Sequence, residues 1–194
     1  MFSDKILEKG SRVACAVQYH GGAYVGWQLQ SGHKNSTIQG LVENAVSVVA
    51  DSRVRIYGAG RTDARVHALG QIFHFDDPAG RSLKAWVHGV NGNLPKDIRI
   101  LWARTVPEHF HSRFSALSRS YRYMIVNTSI SPALFCGLAS WHRKTLDEKL
   151  MKREVQCLLG EHDFNAFRSS TCQSPTSMRN IISIEISRYS GSLP

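Results

Sequence analysis

The order of apolar patterns over residues 12–105 is the feature that most constrains the fold. Apolar residues alternate where strands are predicted and recur every three or four positions where helices are predicted. Strands are predicted at residues 12–19, 53–58, 70–76 and 98–105, and helices at residues 37–50 and 82–91. Ser36 and Gln39 predict a capping box at the start of the first helix. This β-α-β-β-α-β order is the ferredoxin-like split βαβ arrangement, so an α+β protein with a mainly antiparallel sheet is expected.

Residues 107–194 begin a second series of the same kind. Strands are predicted at residues 117–127, 137–142 and 180–188. Asp147 is predicted to cap a helix that ends at Gly160, with inward-facing residues Leu150, Met151, Val155, Leu158 and Leu159. The series opens a second β-α-β-β-α-β unit without completing it. We therefore predict two ferredoxin-like halves, residues 1–106 and residues 107–194, of which the second is incomplete.

Charge and cysteine content narrow the class of protein. The 194 residues carry a formal net charge of +9 and a pI of about 9.7, which is compatible with a nucleic-acid partner. Cys15, Cys136, Cys157 and Cys172 show no CxxC spacing, which argues against a disulfide framework and a zinc site. No segment approaches the length of a membrane span, and the N-terminus lacks the apolar core of a signal peptide. A cytoplasmic protein with no membrane partner is therefore expected.

The segment GAGRTDARVHALGQIFHF (58–75) carries the strongest candidate for chemistry. A glycine-flanked turn presents Asp63 beside Arg61, between two predicted strands. A lone carboxylate next to a guanidinium suits a reaction in which the carboxylate is the nucleophile and the arginine holds an anionic substrate. The alternative is a β-hairpin loop in which the aspartate and the neighbouring threonine satisfy backbone groups of the turn. The spacing alone favours this structural alternative.

Residues 110–126 combine cations and aromatic rings without an acidic residue. Arginines in this pattern suit phosphates, and aromatic rings suit unstacked bases, as in an RNA-contacting strand or groove. The alternative is an ordinary strand with buried rings on one face and solvated arginines on the other. The pattern alone favours neither interpretation.

Six segments of the chain resemble, in order, the motifs of the TruA family of tRNA pseudouridine synthases. The Asp63 segment is similar to the family signature GRTDAGVHA. The other five segments are YHGGAYVGWQLQ (19–30), STIQGLVENAVSVVA (36–50), VNGNLPKDI (90–98), FHSRFSALSRSYRYMIVN (110–127) and LLGEHDFNAFRSSTCQS (158–174). Together these segments span nearly the whole chain.

The resemblance implies roles for three residues. Asp63 would be the nucleophile of a pseudouridine synthase, and Arg61 would help to expel the target base from the RNA stack. Tyr121 would stack on the flipped uracil. Without the resemblance, the alternating pattern around Tyr121 favours a core aromatic instead. His67 and His74 allow either acid–base roles or packing between strands.

The resemblance also implies a pseudouridine synthase fold, a tRNA partner and a homodimer that acts on uridines of the anticodon stem-loop. The residues matching RNA-contacting positions are Phe110, His111, Ser112, Arg113, Phe114, Thr171, Cys172, Gln173 and Ser174. The reaction is an isomerisation, so no redox cofactor and no metal is expected.

Two departures from the family pattern qualify these expectations. Arg65 occupies the position of a glycine in the signature, and a positive φ there would cost about 1–2 kcal/mol with an arginine. The family's later motif, whose arginine pairs with the catalytic aspartate, is not in this sequence. The alternatives are a truncated, catalytically impaired member of the family and a plain RNA-binding ferredoxin-like module.

Overall fold

The computed structural model describes residues 3–30, 36–168 and 176–189. The chain forms two compact units, Met1–Met124 with Phe135–Ala139 and Ile125–Leu134 with Ser140–Pro194. The division between residues 106 and 107 stays a prediction, because it follows the repeated order of elements whereas the compact units follow packing.

The first unit contains a four-stranded sheet and two helices. Its elements are β1 (Arg12–Tyr19), α1 (Ile38–Ala50), β2 (Tyr57–Gly58), β3 (Ala68–Asp76), α2 (Leu83–Asn93) and β4 (Ile98–Thr105). The strands lie in the order β2-β3-β1-β4, and each neighbouring pair is antiparallel. The predicted α+β class with a mainly antiparallel sheet is therefore confirmed.

The hydrophobic core of this unit lies between the central strands and the two helices. Cys15 on β1 pairs with Phe73 on β3 and with Ala103 on β4, and all three are buried. From α2, the buried Trp86 ring meets Phe75 edge-on at a centroid distance of 4.8 Å. Burial of each large apolar side chain contributes about 1.5–3 kcal/mol to folding.

The predicted strand at residues 53–58 is wrong except at its last two residues, Tyr57–Gly58. Val54 and Ile56 are buried as the pattern predicts, but their amides bond to side chains of α1. The Val54 amide donates to Ser47 Oγ at 3.0 Å, and the Ile56 amide donates to Glu43 Oε1 at 3.2 Å. Because these backbone groups are satisfied by a helix, they are not available to extend the sheet.

The start of α1 also differs from the predicted capping box. Thr37, not Ser36, is the N-cap, and its side chain accepts a hydrogen bond from the Gly40 amide at 3.2 Å. Gln39 instead contacts Glu43 Oε1 at 3.0 Å and the Ile56 carbonyl at 3.3 Å. Gln39 thus joins the helix to the segment before β2.

The second unit contains short elements. These are β5 (Ile125–Asn127), β6 (Ser140–His142), α3 (Glu148–Glu154), β7 (Gly160–Asp163) and β8 (Met178–Ile181). Strands β5 and β6 are parallel, whereas β7 and β8 are antiparallel. Asp147 caps α3 as predicted and accepts from the amides of Lys149 and Leu150. A 3₁₀ turn at Val155–Leu158 follows the helix.

Several predictions for this unit and for the residues just before it are wrong. The strand at residues 117–127 forms only at Ile125–Asn127, the strand at residues 180–188 ends at Ile181, and β7 was not predicted. Among the residues that the structure describes, none in this unit is buried, and Leu150 of the predicted inward stripe is exposed. Alternating apolar residues stabilise a strand by burying one face, so without a buried face the pattern predicts strands that are too long.

Within the described ranges, no helix is long and apolar enough to cross a membrane.

A buried carboxylate closes the loop between β3 and α2. Asp77 is fully buried, and its Oδ1 accepts from the amides of Ala79 and Gly80, both at 2.8 Å. Its Oδ2 accepts from the Arg81 amide at 2.9 Å and from Trp86 Nε1 at 3.0 Å. All four donors depend on one side chain.

The variant Asp77→Asn is expected to lower the free energy of unfolding by about 2–4 kcal/mol. In either orientation of the asparagine amide, its NH₂ group faces two of the four N–H donors. Those two donors then have no acceptor. Urea denaturation measures the change as a lower midpoint. Asp4→Asn is the control, because Asp4 is exposed and forms an exposed ion pair with Lys84. Equal midpoints for the two variants would contradict the role of Asp77.

Candidate active site

The Asp63 loop connects β2 to β3 and comprises residues 59–67. Its first residues continue the contact between the strands, since the Ala59 amide donates to the Ile72 carbonyl at 2.7 Å. Gln71 Nε2 donates to the Gly60 carbonyl at 2.8 Å. Asp63 and Arg61 are both exposed. The loop therefore presents a carboxylate and a guanidinium on a strand connection that is anchored to the sheet.

Residues on both sides of Asp63 are held by the glycine loop, which comprises residues 20–27. The Trp27 amide donates to the Thr62 carbonyl at 3.0 Å, and the Arg65 amide donates to the Tyr24 carbonyl at 3.1 Å. The hydroxyl groups of Tyr19 and Thr62 lie 2.9 Å apart. These bonds fix the backbone before and after the carboxylate, while the side chain of Asp63 stays accessible.

Two glycines allow the loops to approach this closely. A Cβ atom on Gly21 would lie 2.0 Å from the Val66 carbonyl oxygen. A Cβ atom on Gly26 would lie 2.6 Å from the Thr62 carbonyl oxygen, and Gly26 also has a φ of +108°. No side chain fits at either position without moving the backbone of the Asp63 loop.

The glycine loop is itself anchored at two points. Tyr24 donates its hydroxyl to Asp97 Oδ1 at 2.7 Å. Burial, together with this bond to Asp97, raises the pKa of Tyr24. The Gly21 amide donates to His67 Nδ1 at 3.1 Å, which leaves His67 Nε2 to donate to the Gly137 carbonyl at 2.7 Å. Both nitrogens of His67 are engaged, so the contacts favour its packing alternative over an acid–base role.

Asp63, Ala64, Arg65 and Val66 form a four-residue turn that contains the departure from the family signature. The Val66 amide donates to the Asp63 carbonyl at 3.3 Å, and Arg65 has a φ of 66°. This is the third position of the turn, where type II turns favour glycine because φ is positive. The sequence therefore places an arginine in a conformation that costs about 1–2 kcal/mol.

A buried histidine and serine anchor the segment that matches RNA-contacting positions. His74 on β3 accepts at Nδ1 from the Ser112 amide at 3.2 Å, and Ser112 Oγ donates to the Tyr57 carbonyl at 2.6 Å. Both side chains are only 3% exposed. Burial, reinforced by the charges of His111 and Arg12, lowers the pKa of His74 to about 4. His74 is thus neutral near pH 7 and has a structural contact.

A second anchor of this segment is Arg12 on β1. Its guanidinium binds Asp76 through two hydrogen bonds of 2.7 and 3.1 Å and lowers the pKa of that carboxyl group. The same guanidinium donates to the carbonyls of Glu108 and Phe110. Farther along, Arg119 donates to the Ala59 carbonyl at 2.8 Å. The arginine-rich segment, residues 110–126, therefore contacts the start of the Asp63 loop.

The predicted site residues differ in exposure. Arg113, Phe114 and Tyr121 are exposed, and the Tyr121 side chain is 85% exposed. The alternative of a core aromatic at Tyr121 is therefore wrong, and so is the strand predicted around it. Phe110 and His111 are half-buried, and Ser112 is buried, although its RNA contact stays a prediction. Thr171, Cys172, Gln173 and Ser174 lie outside the described residues.

The structure adds supporting residues that were not among the predicted site residues. Tyr19, Thr62, Tyr24 and Asp97 all support the Asp63 loop, directly or through the glycine loop. They lie in the segments YHGGAYVGWQLQ (19–30), GAGRTDARVHALGQIFHF (58–75) and VNGNLPKDI (90–98), so their place in these motifs is the sequence signal that could have identified them. Within the described ranges, no group of three His, Cys, Asp or Glu side chains is arranged to hold a metal ion.

Comparison with known proteins identifies relatives across nearly the whole chain. The family described as tRNA pseudouridine synthase matches residues 15–115 and 155–193. A tRNA pseudouridine synthase A from Legionella pneumophila (strain Lens) is 51% identical over 178 residues, which cover 92% of this chain and 67% of the relative. The tRNA pseudouridine synthase A from Coxiella burnetii (strain Dugway 5J108-111) matches with the same identity and the same coverage.

The variant Arg65→Gly is expected to raise the free energy of unfolding by about 0.5–1 kcal/mol. Glycine removes the cost of a positive φ, and its greater freedom in the unfolded chain offsets part of the gain. Urea denaturation measures the change. The control is Ala64→Gly, because Ala64, unlike Arg65, is not among the described non-glycine residues with a positive φ. Ala64→Gly should lower stability, and a loss of stability for both variants would contradict the argument.

The stability of the protein is expected to fall between pH 6.5 and pH 4 because of His74. The unfolded chain protonates this histidine near its ordinary pKa of 6.5, whereas the folded chain does so only near 4. The unfolded state binds more protons in this range, so acid favours unfolding. Urea titrations at several pH values compare the chain with His74→Asn, whose Oδ1 still accepts from the Ser112 amide. The variant should show a shallower dependence on pH, and an unchanged dependence would contradict the assignment.

Proposed function

Because this chain belongs to the tRNA pseudouridine synthase family and acts as an isomerase on tRNA, we infer that Asp63 is its nucleophile. The observation that carries this inference is the pairing of an exposed carboxylate with an immobilised backbone. Thr62 and Arg65 are bonded to the glycine loop, while the Asp63 side chain between them is exposed. A nucleophile held in this way loses little conformational freedom when the substrate binds.

The chemistry requires a group that both attacks and leaves. Formation of pseudouridine breaks the bond between N1 of uracil and C1′ of ribose, and forms a bond between C5 and C1′. The proton on C5 is lost and N1 gains a proton, so the product is an isomer of the substrate. A carboxylate can add to C1′ or to C6 of the base and be expelled again in the following step. Both routes use Asp63 once and regenerate it.

Arg61 and Tyr121 are proposed to handle the substrate. Arg61 is exposed two residues before Asp63, in a position to approach a phosphate and to help displace the target base. The Tyr121 ring is 85% exposed and offers a face for the uracil. Stacking of one base on an aromatic ring contributes about 1–3 kcal/mol to binding.

Binding of tRNA is proposed to extend along residues 110–114 and 171–174. The exposed Arg113 and Phe114 supply a cation and a ring, and Ser112 holds their segment on the sheet. Contacts of this kind release counterions from phosphates, so the affinity should fall as salt rises.

The finer expectations from the family resemblance complete the proposal. The β-α-β-β-α-β order of the first unit supports a fold of two ferredoxin-like halves. The described part of the second half contains short strands and the helix α3. A homodimer in the cytoplasm, acting on uridines of the anticodon stem-loop, follows from the same resemblance. The extent of the family match favours this enzyme over a plain RNA-binding module.

The variant Asp63→Asn is expected to lower turnover by about a thousandfold or more, because the amide keeps the size of the side chain and removes the nucleophile. The assay measures tritium released from tRNA that carries C5-labelled uridine. Binding of tRNA should persist.

The matched control is Asp51→Asn. Asp51 is also an exposed aspartate, and asparagine tolerates the left-handed conformation at the end of α1. Turnover by this variant should equal that of the unaltered chain. Near-normal tritium release by Asp63→Asn would contradict the assignment of Asp63.

A further inference from the structure

Three aromatic rings and two guanidinium groups form a continuous series beside the edge strand β2. Arg55 lies 5.7 Å from the centre of the Tyr57 ring, which is 5.9 Å from the ring of His111. The His111 ring is 4.5 Å from Phe114, and Arg113 lies 5.7 Å from the centre of the Phe114 ring. We call these five residues the aromatic ladder.

The ladder is fixed from beneath by buried groups. His74 stacks on Tyr57 at 5.2 Å and meets His111 edge-on at 4.7 Å. Ser112 Oγ donates to the Tyr57 carbonyl, and the Ser112 amide donates to His74 Nδ1. These two bonds fix the position of Ser112. The Tyr57 and His111 rings are thus held in position before any ligand binds, which lowers the entropy cost of binding to them.

Two rings of the ladder, Tyr57 and Phe114, are accessible to solvent. The Tyr57 side chain is 44% exposed and the Phe114 side chain is 78% exposed. A depression of about 220 Å³ beside Tyr57 is also lined by Arg53 and Arg55. Asp76 contributes a carboxylate to the same depression, but this carboxylate is bound through two hydrogen bonds to Arg12.

The chemistry of the ladder matches an unstacked nucleotide with its phosphates. Aromatic faces bind bases of any sequence, and arginines at the two ends of a series of rings suit the phosphates on either side of a base. The ladder itself contains no acidic residue, and the chain has a net charge of +9. Arginine and aromatic residues also occur in protein interfaces, but two cations at one such surface favour a polyanion.

We propose that the aromatic ladder binds an unstacked nucleotide of the tRNA other than the target uridine. The proposal rests on the proposed function and adds Arg55 and Tyr57, which no family motif singled out, to the RNA-binding surface. The target uridine reacts at Asp63, whereas the ladder holds another part of the same RNA.

The test measures the binding of unmodified tRNA by fluorescence anisotropy from about 50 to about 200 mM salt. Tyr57→Leu removes the ring and should weaken binding about tenfold at every salt concentration. Tyr57→Phe keeps the ring and should bind like the unaltered chain. Arg55→Gln removes one phosphate contact and should reduce the slope of log K against log salt by about 1.

The matched control is Arg104→Gln. Arg104 lies 5.4 Å from the centre of the Trp102 ring on β4, the strand at the opposite edge of the sheet. Arg104, like Arg55, lies over an aromatic ring, and its replacement by glutamine removes the same positive charge. The affinity of Arg104→Gln for tRNA, and the salt dependence of that affinity, should equal those of the unaltered chain. Thermal unfolding of each variant establishes that the sheet remains folded.

Unchanged affinity of Tyr57→Leu together with an unchanged salt slope of Arg55→Gln would overturn the proposal. If tritium release still depended on Asp63, the proposed function would stand while the ladder failed. If the unaltered chain neither bound nor modified tRNA, both would fail. A change in sedimentation of Tyr57→Leu without a change in tRNA affinity would assign the ladder to a protein interface and would also overturn the proposal.

Discussion

The close approach of two loop backbones, residues 20–27 and residues 62–66, is the constraint on which the candidate active site depends. Gly21 and Gly26 lie so near this second backbone that a Cβ atom on either would overlap a carbonyl oxygen. The proximity lets Trp27 and Tyr24 bond to the residues that flank Asp63. The conformation of the Asp63 loop therefore depends on the glycine loop, to which no catalytic role is assigned.

Buried polar side chains extend the same principle to other connections in the first unit. Asp77 accepts hydrogen bonds from four donors at the start of α2. Ser112 and His74 connect the arginine-rich segment to the sheet. Each of these buried side chains is hydrogen-bonded, which offsets the cost of burying it, and a change that breaks these bonds would destabilise the fold. The exposed residues proposed for function, such as Asp63 and Tyr57, therefore lie on backbone segments that such contacts hold in place.

Local pattern predicted the elements whose stability comes from burial in the first unit. Strands β1 and β4 have the predicted limits, because alternating apolar residues there meet a core. The same reasoning overextended the strand at residues 53–58, where side chains of α1 occupy the backbone amides. It also overextended the strands of the second unit, whose described residues are not buried. The hydrophobic pattern shows which residues are apolar, but it does not show whether other residues pack over them.

The sequence by itself determined the α+β class, the family and the residue proposed as nucleophile, since these follow from patterns and motifs contiguous in the chain. It also marked Arg65 as a residue at a position suited to glycine, which its φ of 66° bears out. Only the tertiary structure decided that the Thr62 and Tyr19 hydroxyls are in contact and that His74 accepts a hydrogen bond from the Ser112 amide. It also decided that Tyr57 lies beside His111 in the aromatic ladder. These contacts join residues distant in sequence, and their distances depend on how the strands and loops pack together.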